Sequence, residues 1–379
     1  MRPVVLALLL VAWPARAFPP ITDRDFSLDL YVGTVMGSTR TVGMGGAIVA
    51  LVEQATGMGA NPAAPGVRPT TISDEFDWAG TVDWLNPDLG QDFDNNGDPD
   101  DDGRTLLLTG GIALEFGLGG FGFDATWLTR EVPGLADEDR LAVNTIVMRV
   151  MWARTFLDER LTFGLGFRGG LFNIAQVMGS RELVSKVGWS GTAGFLWRPK
   201  NLDLRLGAAL ALPIKVEVPD CLSCTGFVPR DVKLPWEISV GGAWRLAKTR
   251  WNRRLDEDFR DERALTVAID LLIVGALGDG YGLQRFVAGE LQESGRSVSF
   301  SVRGGAEFEW IPGWLRVRAG SYWEPARLED QAGRIHGTFG VEVRTFSFCF
   351  WGDRYRVRLS LTGDLASRYA NGGLSIGFW

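Results

Sequence analysis

The stretch Leu202-Asp-Leu-Arg-Leu-Gly-Ala-Ala-Leu-Ala-Leu212 alternates between two kinds of side chain. Leucine or alanine occupies every even position, whereas the odd positions include Asp203, Arg205 and Gly207. Successive side chains of a β-strand point to opposite faces, so a period of two predicts a strand with one apolar and one mixed face. The stretch therefore predicts a sheet that has one face in an apolar environment.

The same alternation recurs along the chain from Thr71 onward. It is clearest around Phe121–Trp127, Val298–Glu309 and Arg354–Thr362. These strands run to about 10–14 residues, whereas globular strands average about 5–6. Many of the 15 Trp and 22 Phe residues fall near strand ends, as in the aromatic girdles of membrane barrels. A soluble β-sandwich also alternates, but strand length and aromatic placement favour a membrane barrel.

Short and long connections alternate between the strands, which allows the crossings to be counted. If every long connection faces outside, the chain crosses 14 times and ends on the periplasmic side. The count takes 275–296 as one external loop and places the charged run Lys248–Glu262 in a long periplasmic turn. We therefore predict an all-β fold, a 14-stranded antiparallel transmembrane β-barrel over residues 70–379 in the bacterial outer membrane.

The first 17 residues are typical of a secretory signal peptide. Arg2 supplies the basic start, residues 4–13 the apolar core, and Ala15-Arg16-Ala17 the cleavage site, so the mature chain is expected to begin at Phe18. The net charge of −7 argues against a nucleic-acid partner. The final strand ends on aromatic residues, as in barrels recognised by the outer-membrane assembly machinery, which we expect as a partner.

Residues 18–69 separate the leader from the strands and show no convincing strand series. They contain Arg40, the glycine-rich run Gly43-Met-Gly-Gly-Ala47, and the turn signal Asn61-Pro62-Ala63. Glycine permits close backbone approach, so this segment could pack tightly against other elements. An N-terminal arm without a specific role is the simpler alternative.

These residues resemble the FadL-type family of long-chain fatty-acid outer-membrane transporters. Weaker similarities are Leu234-Pro-Trp236, Asp270 and the stretch Arg316–Tyr322. The resemblance implies a 14-stranded barrel closed by a small N-terminal hatch inside the lumen, formed here by residues 18–69. The hatch residues implied by it are Arg40, Gly43, Met44, Gly45, Gly46, Ile48, Asn61, Pro62 and Ala63.

The resemblance also implies a function, the uptake of hydrophobic small molecules such as long-chain fatty acids. In the family, a ligand is captured outside, enters an apolar pocket and leaves sideways through a gap in the wall after the hatch shifts. The external connections here look short and polar, whereas fatty-acid importers carry longer, apolar, helical ones. A non-transporting barrel that assists assembly or secretion and an aqueous porin are the alternatives. The other expected partners are outer-membrane lipid and lipopolysaccharide, and we expect a monomer.

Inward-facing charges in the later strands predict a cross-strand ion-pair network near the periplasmic rim. Unpaired charge in a lumen is costly, so opposite charges should meet across neighbouring strands. The network could stiffen the wall or dock the hatch. Its predicted members are Arg303, Glu307, Glu309, Arg316, Arg318, Glu342, Arg344, Arg356 and Arg358.

Three further features suggest local chemistry. The run Asp92–Gly103 resembles a calcium loop, with candidate ligands Asp92, Asp94, Asn96, Asp98 and Asp100, although an acidic loop tip is the alternative and no other cofactor is expected. Cys221 and Cys224 are predicted to form a local disulfide in an oxidising compartment. The single histidine, His336, has no fixed Ser or Asp partner, so we predict no catalytic residues and no enzyme.

Overall fold

A computed structural model of the protein describes residues 18–69, 76–86, 92–97, 104–132, 141–176, 182–218, 228–255, 259–350 and 353–378. The predicted signal peptide and the cysteine pair Cys221 and Cys224 lie outside these ranges.

The described chain is almost entirely β-structure, with short helical turns near the N-terminus and in one connection. The elements in chain order are β1 (Ser27–Asp29), α1 (Thr39–Gly43), α2 (Gln54–Gly57), a 3-10 turn (Ala64–Gly66), β2 (Phe76–Asn86), β3 (Thr105–Phe116), β4 (Gly119–Val132), β5 (Leu141–Phe156), β6 (Leu161–Gln176), β7 (Glu182–Trp197), β8 (Leu204–Ala211), β9 (Ile214–Glu217), β10 (Asp231–Leu234), β11 (Glu237–Leu246), β12 (Leu265–Val274), β13 (Gly280–Gly282), α3 (Leu283–Val287), β14 (Ser299–Ile311), β15 (Leu315–Glu324), β16 (Arg334–Phe350), β17 (Asp353–Ala366) and β18 (Tyr369–Phe378).

Fourteen of these strands close into one antiparallel barrel, which confirms the predicted fold class. The order around the barrel is β2 to β8, then β11, β12 and β14 to β18, and β18 pairs back onto β2. The charged run Lys248–Glu262 lies in the connection between β11 and β12, as predicted. Residues 275–296 contain β13 and α3, neither of which joins the barrel, so the crossing count is unchanged.

The predicted alternation divides the barrel into an apolar outer face and a polar inner face. On β8, Leu206 and Leu210 are exposed, whereas Arg205 is 1% exposed. On β14, Phe300 and Val302 are likewise exposed. An apolar outer surface on a closed hydrogen-bonded barrel satisfies every requirement of a spanning structure in lipid, and it places the barrel in the bacterial outer membrane.

The two ends of the barrel differ. Short turns, such as 117–118 after β3 and 312–314 after β14, lie at one end, which we call the short-turn end. The connections that follow β8, β12 and β15 lie at the other, the long-connection end. In bacterial outer-membrane barrels the short turns face the periplasm, so the long-connection end faces outside.

A small second sheet lies at the long-connection end. Its order is β13-β1-β10-β9, and β1 pairs in parallel with both β10 and β13. We call it the cap sheet. It binds the start of the chain to two external connections, and its apolar face joins a buried cluster that includes Phe26, Leu28 and Val232. Half-buried apolar residues of α3, including Phe286, pack on this cluster. The connection between β12 and β14, which contains α3, is therefore neither short nor polar.

Residues 18–69, hereafter the N-terminal segment, run from the cap sheet to the start of β2 at the short-turn end. Thr39 to Val67 are buried apart from Glu53, Thr56 and Ala60, which are partly exposed, and Gly59, which is exposed. The hydrophobic cluster of this segment includes Ile48, Leu51 and Met58, and wall residues such as Ala113 and Ala268 complete it. No helix among the described residues is long and apolar enough to cross a membrane.

Candidate functional site

Glycines of the wall stand where the N-terminal segment touches it. A Cβ atom on Gly120 of β4 would lie 1.8 Å from the carbonyl oxygen of Pro65, and one on Gly164 of β6 would lie 2.0 Å from that of Pro62. A Cβ on Gly305 of β14 would lie 2.3 Å from the Met44 carbonyl. Glycine at these positions of β4, β6 and β14 therefore allows the backbone of the segment to approach the wall to van der Waals distance.

Glycine is also required within the segment itself. Gly45 and Gly46 have φ angles of 59° and 77°, in the region that L-residues with a side chain rarely adopt. A Cβ on Gly45 would also lie 2.8 Å from the backbone nitrogen of Ser321. The turn after α1 therefore needs these glycines for both conformation and space. Met44 packs against the wall beside them.

Arg40 connects the segment to the charged wall. Its Nε and Nη2 each donate to Glu307 of β14 at 3.2 Å, and Nη1 donates to the Leu51 carbonyl at 3.3 Å. Arg40 is 8% exposed and Glu307 6%. A two-pronged guanidinium–carboxylate contact fixes both position and orientation, so Arg40 ties α1 firmly to β14.

Hydrogen bonds between the wall and the segment hold the segment at three more points. Asp270 of β12 accepts hydrogen bonds from the backbone nitrogens of Ile48 and Val49, at 2.6 and 2.8 Å. Asp83 of β2 accepts one from the nitrogen of Thr39 at 2.7 Å. Asn61 donates to the Val49 carbonyl and to the Phe195 carbonyl of β7, at 3.1 and 3.0 Å. These bonds satisfy backbone groups that would otherwise be buried without partners.

The charges of β14 to β17 pair across neighbouring strands. Arg318 Nε lies 2.6 Å from Glu307, and its Nη2 lies 2.5 Å from Glu342. Glu309 accepts from Arg316 Nε at 2.8 Å and from Arg344 Nη1 at 2.7 Å. Two other predicted members make looser or different contacts. Arg358 is 3.9 Å from Glu342, and Arg356 binds Asp261 of the β11–β12 connection at 2.8 Å.

A cavity of about 250 Å³ lies between the N-terminal segment and the wall, and we call it the upper chamber. Apolar side chains such as Leu30, Ile48, Met58 and Leu272 line much of it. It is smaller than the roughly 300–1,000 Å³ usual for pockets of drug-sized ligands. Three arginines and three carboxylates also line it: Arg149, Arg168, Arg303, Asp83, Asp124 and Glu237.

Arg303 differs from the other two arginines of the upper chamber. Arg149 lies 2.9 Å from Asp124, and Arg168 lies 3.7 Å from Glu237. Arg303 donates to the Ser301 hydroxyl at 3.3 Å, and no carboxylate of the described residues lies within 4.0 Å of it. This predicted network member is therefore separate from the Glu307–Glu342 group and provides a positive charge at the chamber wall.

A second cavity, of about 140 Å³, lies nearer the short-turn end. We call it the arginine chamber because its lining is dominated by that residue type. Aromatic rings of Trp251, Phe259 and Phe378 and the carboxylates of Glu53, Asp261 and Glu342 complete the lining. The arginines are Arg40, Arg205, Arg245, Arg260, Arg316, Arg344, Arg356 and Arg358.

The single histidine lies in a buried polar cluster near the long-connection end. His336 Nδ1 is 2.9 Å from Asp364 and Nε2 is 2.7 Å from Glu324, and the ring stacks on Tyr322. Tyr322 accepts from the Val35 backbone nitrogen at 3.1 Å, which links this cluster to the N-terminal segment. Ser321 donates to the His336 carbonyl and not to its ring, so a Ser–His pair is not formed.

Two of the predicted calcium ligands, Asp98 and Asp100, lie outside the described residues. Asp92 accepts from the backbone nitrogens of Asn96 and Gly97, at 3.0 and 3.3 Å. Asp94 pairs with Arg130 of β4 at 2.7 Å. The described members thus have partners within the chain, and the calcium site stays a prediction. Among the described residues Cys349 is an exposed free cysteine.

The resemblance implied an exit through a gap in the barrel wall. In the structure β4 pairs continuously with β3 from Gly119 to Arg130 and with β5 from Gly119 to Val132. The described ladders show register shifts at Ile174/Ala175, Glu309/Ile311 and Arg344/Ser347, and neighbouring strands stay paired on both sides of each shift. In contrast, β7 pairs with β8 only from Thr192 to Trp197, so residues 182–191 of β7 have no barrel strand paired on that side.

Sequence reasoning missed several residues that shape this site. Glu53 pairs with Arg205 at 2.6 Å, and Gln54 donates to Asp77 at 2.6 Å, although neither residue of the segment belonged to a recognised motif. Asp270 was noted only as one of the weaker similarities to the FadL-type family. An acidic residue inside an otherwise apolar strand was the one signal that could have marked it as a contact for the segment.

Three solved structures that share the fold carry names of channels and transporters. A FadL homologue from Pseudomonas aeruginosa is 12% identical, with 91% of this chain and 98% of that chain covered and a TM-score of 0.57. The CymD monoaromatic hydrocarbon channel is 12% identical, with 92% and 98% covered and a TM-score of 0.59. The Pseudomonas putida toluene transporter TodX is 14% identical, with 94% and 98% covered and a TM-score of 0.52.

No protein-family model matches this chain, and no curated relative matches it either. The likeness to the three solved structures is therefore one of fold. It extends over nearly the whole length of each of them. The chain has the fold of FadL-type outer-membrane channels, and the resemblance seen in its sequence is confirmed at that level.

Proposed function

We propose that this protein takes up hydrophobic small molecules across the outer membrane, and that monocarboxylic acids such as fatty acids are the preferred class. The uptake of hydrophobic compounds agrees with the names of the solved structures that share its fold, which include a toluene transporter. The upper chamber supplies a site of the required kind, since apolar side chains form much of its wall.

Arg303 is the observation that carries the preference for acids. Its charge faces a chamber with largely apolar walls, and no carboxylate of the described residues forms an ion pair with it within 4.0 Å, although Asp270 lies opposite it on β12. A guanidinium in such surroundings is stabilised by a carboxylate, while the alkyl part of the ligand gains free energy from burial. With a neutral hydrocarbon in the chamber, Arg303 would have only the longer-range attraction of Asp270, its cross-strand neighbour on β12.

The test compares octanoate with octanol in binding to the purified protein in detergent. We expect octanoate to bind more tightly, and Arg303→Gln to weaken octanoate about tenfold while leaving octanol unchanged, since a hydrogen bond to a charged group contributes about 1.5–3 kcal/mol. The matched control is Arg154→Gln on the outer surface, which should change neither ligand. Equal affinities for both ligands, with no effect of Arg303→Gln, would contradict the acid preference.

The alternatives give different results. A barrel that only assists assembly or secretion would bind neither octanoate nor octanol. An aqueous porin would conduct ions in planar bilayers with the N-terminal segment in place. Toluene binding that is as tight as octanoate binding would place the protein with the hydrocarbon channels that it resembles in fold.

A further inference from the structure

We propose that the preferred ligands of the upper chamber carry a hydroxyl group at the end of the chain remote from the carboxylate, and that Arg149 and Asp124 bind this hydroxyl. The inference deepens the proposed function by naming a narrower ligand class, and it rests on that function for the carboxylate end. The hydroxyl site has a test of its own, because the hydroxyl can be studied on neutral ligands.

The site is an ion pair between neighbouring strands on the inner face of the barrel, and we call it the chamber pair. Asp124 of β4 and Arg149 of β5 are register partners. Arg149 Nη1 donates to Asp124 Oδ1 at 2.9 Å, and Asp124 is 5% exposed. Both residues line the upper chamber, so this polar contact forms part of the surface that a ligand meets.

The chamber pair keeps hydrogen-bonding capacity that the protein does not use. Among the described residues, no donor binds Asp124 Oδ2, and Arg149 makes no hydrogen bond other than the one to Asp124. Asp83, another carboxylate of the chamber, differs, because one of its oxygens accepts from the Thr39 nitrogen at 2.7 Å and the other from the Thr81 hydroxyl at 2.8 Å. The chamber pair therefore offers both an acceptor and donors to a ligand.

The N-terminal segment leaves space in front of the chamber pair. A Cβ atom on Gly59 would lie 3.7 Å from both Arg149 Nη1 and Asp124 Oδ2, an ordinary van der Waals distance, and Gly59 is exposed. Elsewhere the segment fills such space, as where a Cβ on Gly122 would lie 2.3 Å from the sulfur of Met58. The free oxygen of Asp124 is thus accessible from the chamber at Gly59.

The chamber pair and Arg303 lie on opposite sides of the lumen. In the closed ring of 14 strands, β4 is seven places from β14 in either direction. A Cβ on Gly46 would lie 2.9 Å from Arg303 Cδ, so the segment meets Arg303 at Gly46 and the chamber pair at Gly59. Both sites line one cavity, so a ligand with two polar ends can address both.

Apolar side chains of the segment line the chamber between these two sites. They include Ile48, Val49 and Met58. A ring of 14 strands, spaced about 4.8 Å apart and tilted about 40°, is roughly 28 Å wide between opposite backbones. The side chains and the segment shorten the span that a ligand must bridge, so the length of its apolar chain has to be found by experiment.

A hydroxyl group has the chemistry that the chamber pair requires. It donates one hydrogen bond, here to Asp124 Oδ2, and accepts from a guanidinium N–H of Arg149. A plain alkyl end at the same place would displace water from both charged groups and leave them without new partners. Such a site discriminates against the ligand that lacks the hydroxyl, whereas a purely apolar chamber would favour it.

The test measures binding of three kinds of acid to the purified protein in detergent. They are octanoate, dodecanoate and hexadecanoate, the ω-hydroxy derivative of each, and the 2-hydroxy isomer of each as a control of equal composition. At the length that spans the chamber, we expect the ω-hydroxy acid to bind about tenfold more tightly than the 2-hydroxy isomer and the plain acid. If no ω-hydroxy acid binds more tightly than its 2-hydroxy isomer, the inference is wrong.

The double variant Asp124→Leu with Arg149→Met assigns the effect to the chamber pair. Replacing both members of a buried ion pair by apolar residues leaves no unpaired charge and is often neutral for stability. We expect the ω-hydroxy preference to disappear and the plain acids to bind as before, which also shows that the variant has folded. The control is Lys215→Gln with Glu217→Gln, an exposed pair of the cap sheet. An ω-hydroxy preference that survives in the double variant would overturn the assignment.

Gly59→Leu tests the site from the side of the segment while the chamber pair stays intact. The φ angle of Gly59 is not in the left-handed region, so a side chain is compatible with its backbone. The leucine would cover the free oxygen of Asp124, and we expect it to abolish the ω-hydroxy preference. Gly59→Ala adds only a Cβ at 3.7 Å and should keep most of that preference.

Methyl esters of the same acids separate this inference from the proposed function, because they lack the carboxylate. An ω-hydroxy preference among the esters that the double variant abolishes supports the hydroxyl site, even if Arg303→Gln has no effect on the acids and the proposed acid preference fails. Conversely, octanoate that binds through Arg303, with no ω-hydroxy preference at any chain length, supports the proposed function and contradicts the hydroxyl site.

Discussion

At the scale of single residues, buried polar side chains determine how the N-terminal segment meets the wall. Asp270, Asp83 and Glu307 each accept hydrogen bonds from the segment, and each is almost completely buried. Burying a carboxylate is costly unless it is fully hydrogen-bonded, so each such residue favours one arrangement of the segment over all others. The wall thus specifies the path of a segment that has little regular structure.

Glu53 gives a residue-scale prediction about pH. Burial opposes its ionisation, but the charges of Arg205 and Arg40 hold the pKa of Glu53 below its ordinary value of 4.5. A carboxyl with a lowered folded-state pKa stabilises the protein above its unfolded pKa and loses that contribution as pH falls. We expect Glu53→Gln to lower the free energy of unfolding by about 1–3 kcal/mol at pH 7, with the difference shrinking below about pH 4.5.

Urea unfolding in detergent from pH 7 to pH 3 measures this dependence. The matched control is Glu217→Gln, whose exposed pair with Lys215 should contribute little to stability at any pH. A Glu53→Gln effect that is the same at pH 7 and pH 3 would show that the charge of Glu53 does not stabilise the fold.

At the scale of elements, the strands were predictable and the contacts between distant elements were not. Alternation along stretches such as Leu202–Leu212 reports a face in lipid, because the hydrocarbon selects apolar side chains at every second position. The cap sheet has no such signal: β1 pairs with β10 and β13, which lie about 200 residues or more away, and its strands are only three or four residues long. The pairing of Glu53 with Arg205 was equally unpredictable, because the sequence indicates only that Arg205 is an inward-facing residue of β8.

Wall glycines provide an element-scale prediction. Gly164→Ala would place a Cβ 2.0 Å from the Pro62 carbonyl, and that backbone atom cannot move away easily. We expect a loss of about 1–3 kcal/mol in the free energy of unfolding and faster proteolysis within residues 18–69. Gly337→Ala on β16 is the matched control, since its Cβ would meet nothing within 4 Å. Equal stability of both variants would mean that the segment does not pack against β6 as described.

At the scale of the whole molecule, the size of the barrel explains the N-terminal segment. A barrel of about 8 strands can fill its interior with its own side chains, whereas wider barrels leave a lumen. With 14 strands, this barrel can hold additional chain inside, and the hatch proposed for residues 18–69 would supply it, since Thr39 to Val67 are largely buried. The sequence predicted the strand number from the connections. It did not reveal the two chambers, because these depend on how an irregular segment packs.

Removing that segment gives the molecule-scale prediction. Deletion of Phe18 to Pro65 should turn a nearly non-conducting protein into one that conducts ions in planar bilayers, because the lumen loses the chain that occupies it. The matched control removes only residues 18–32, which belong to the cap sheet and its approach. The rest of the segment keeps its bonds to Glu307, Asp270 and the Phe195 carbonyl, so this shorter deletion should conduct little.

The two deletions together identify the part of the segment that closes the barrel. If both conduct equally, the cap sheet is the barrier and the chambers lie open toward the periplasm. If neither conducts, the side chains of the wall close the lumen without the segment, and the hatch proposed for residues 18–69 would have to be abandoned. Conduction by the long deletion alone assigns closure to the stretch that Arg40, Asp270 and Asn61 hold, which is also the stretch that separates the upper chamber from the arginine chamber.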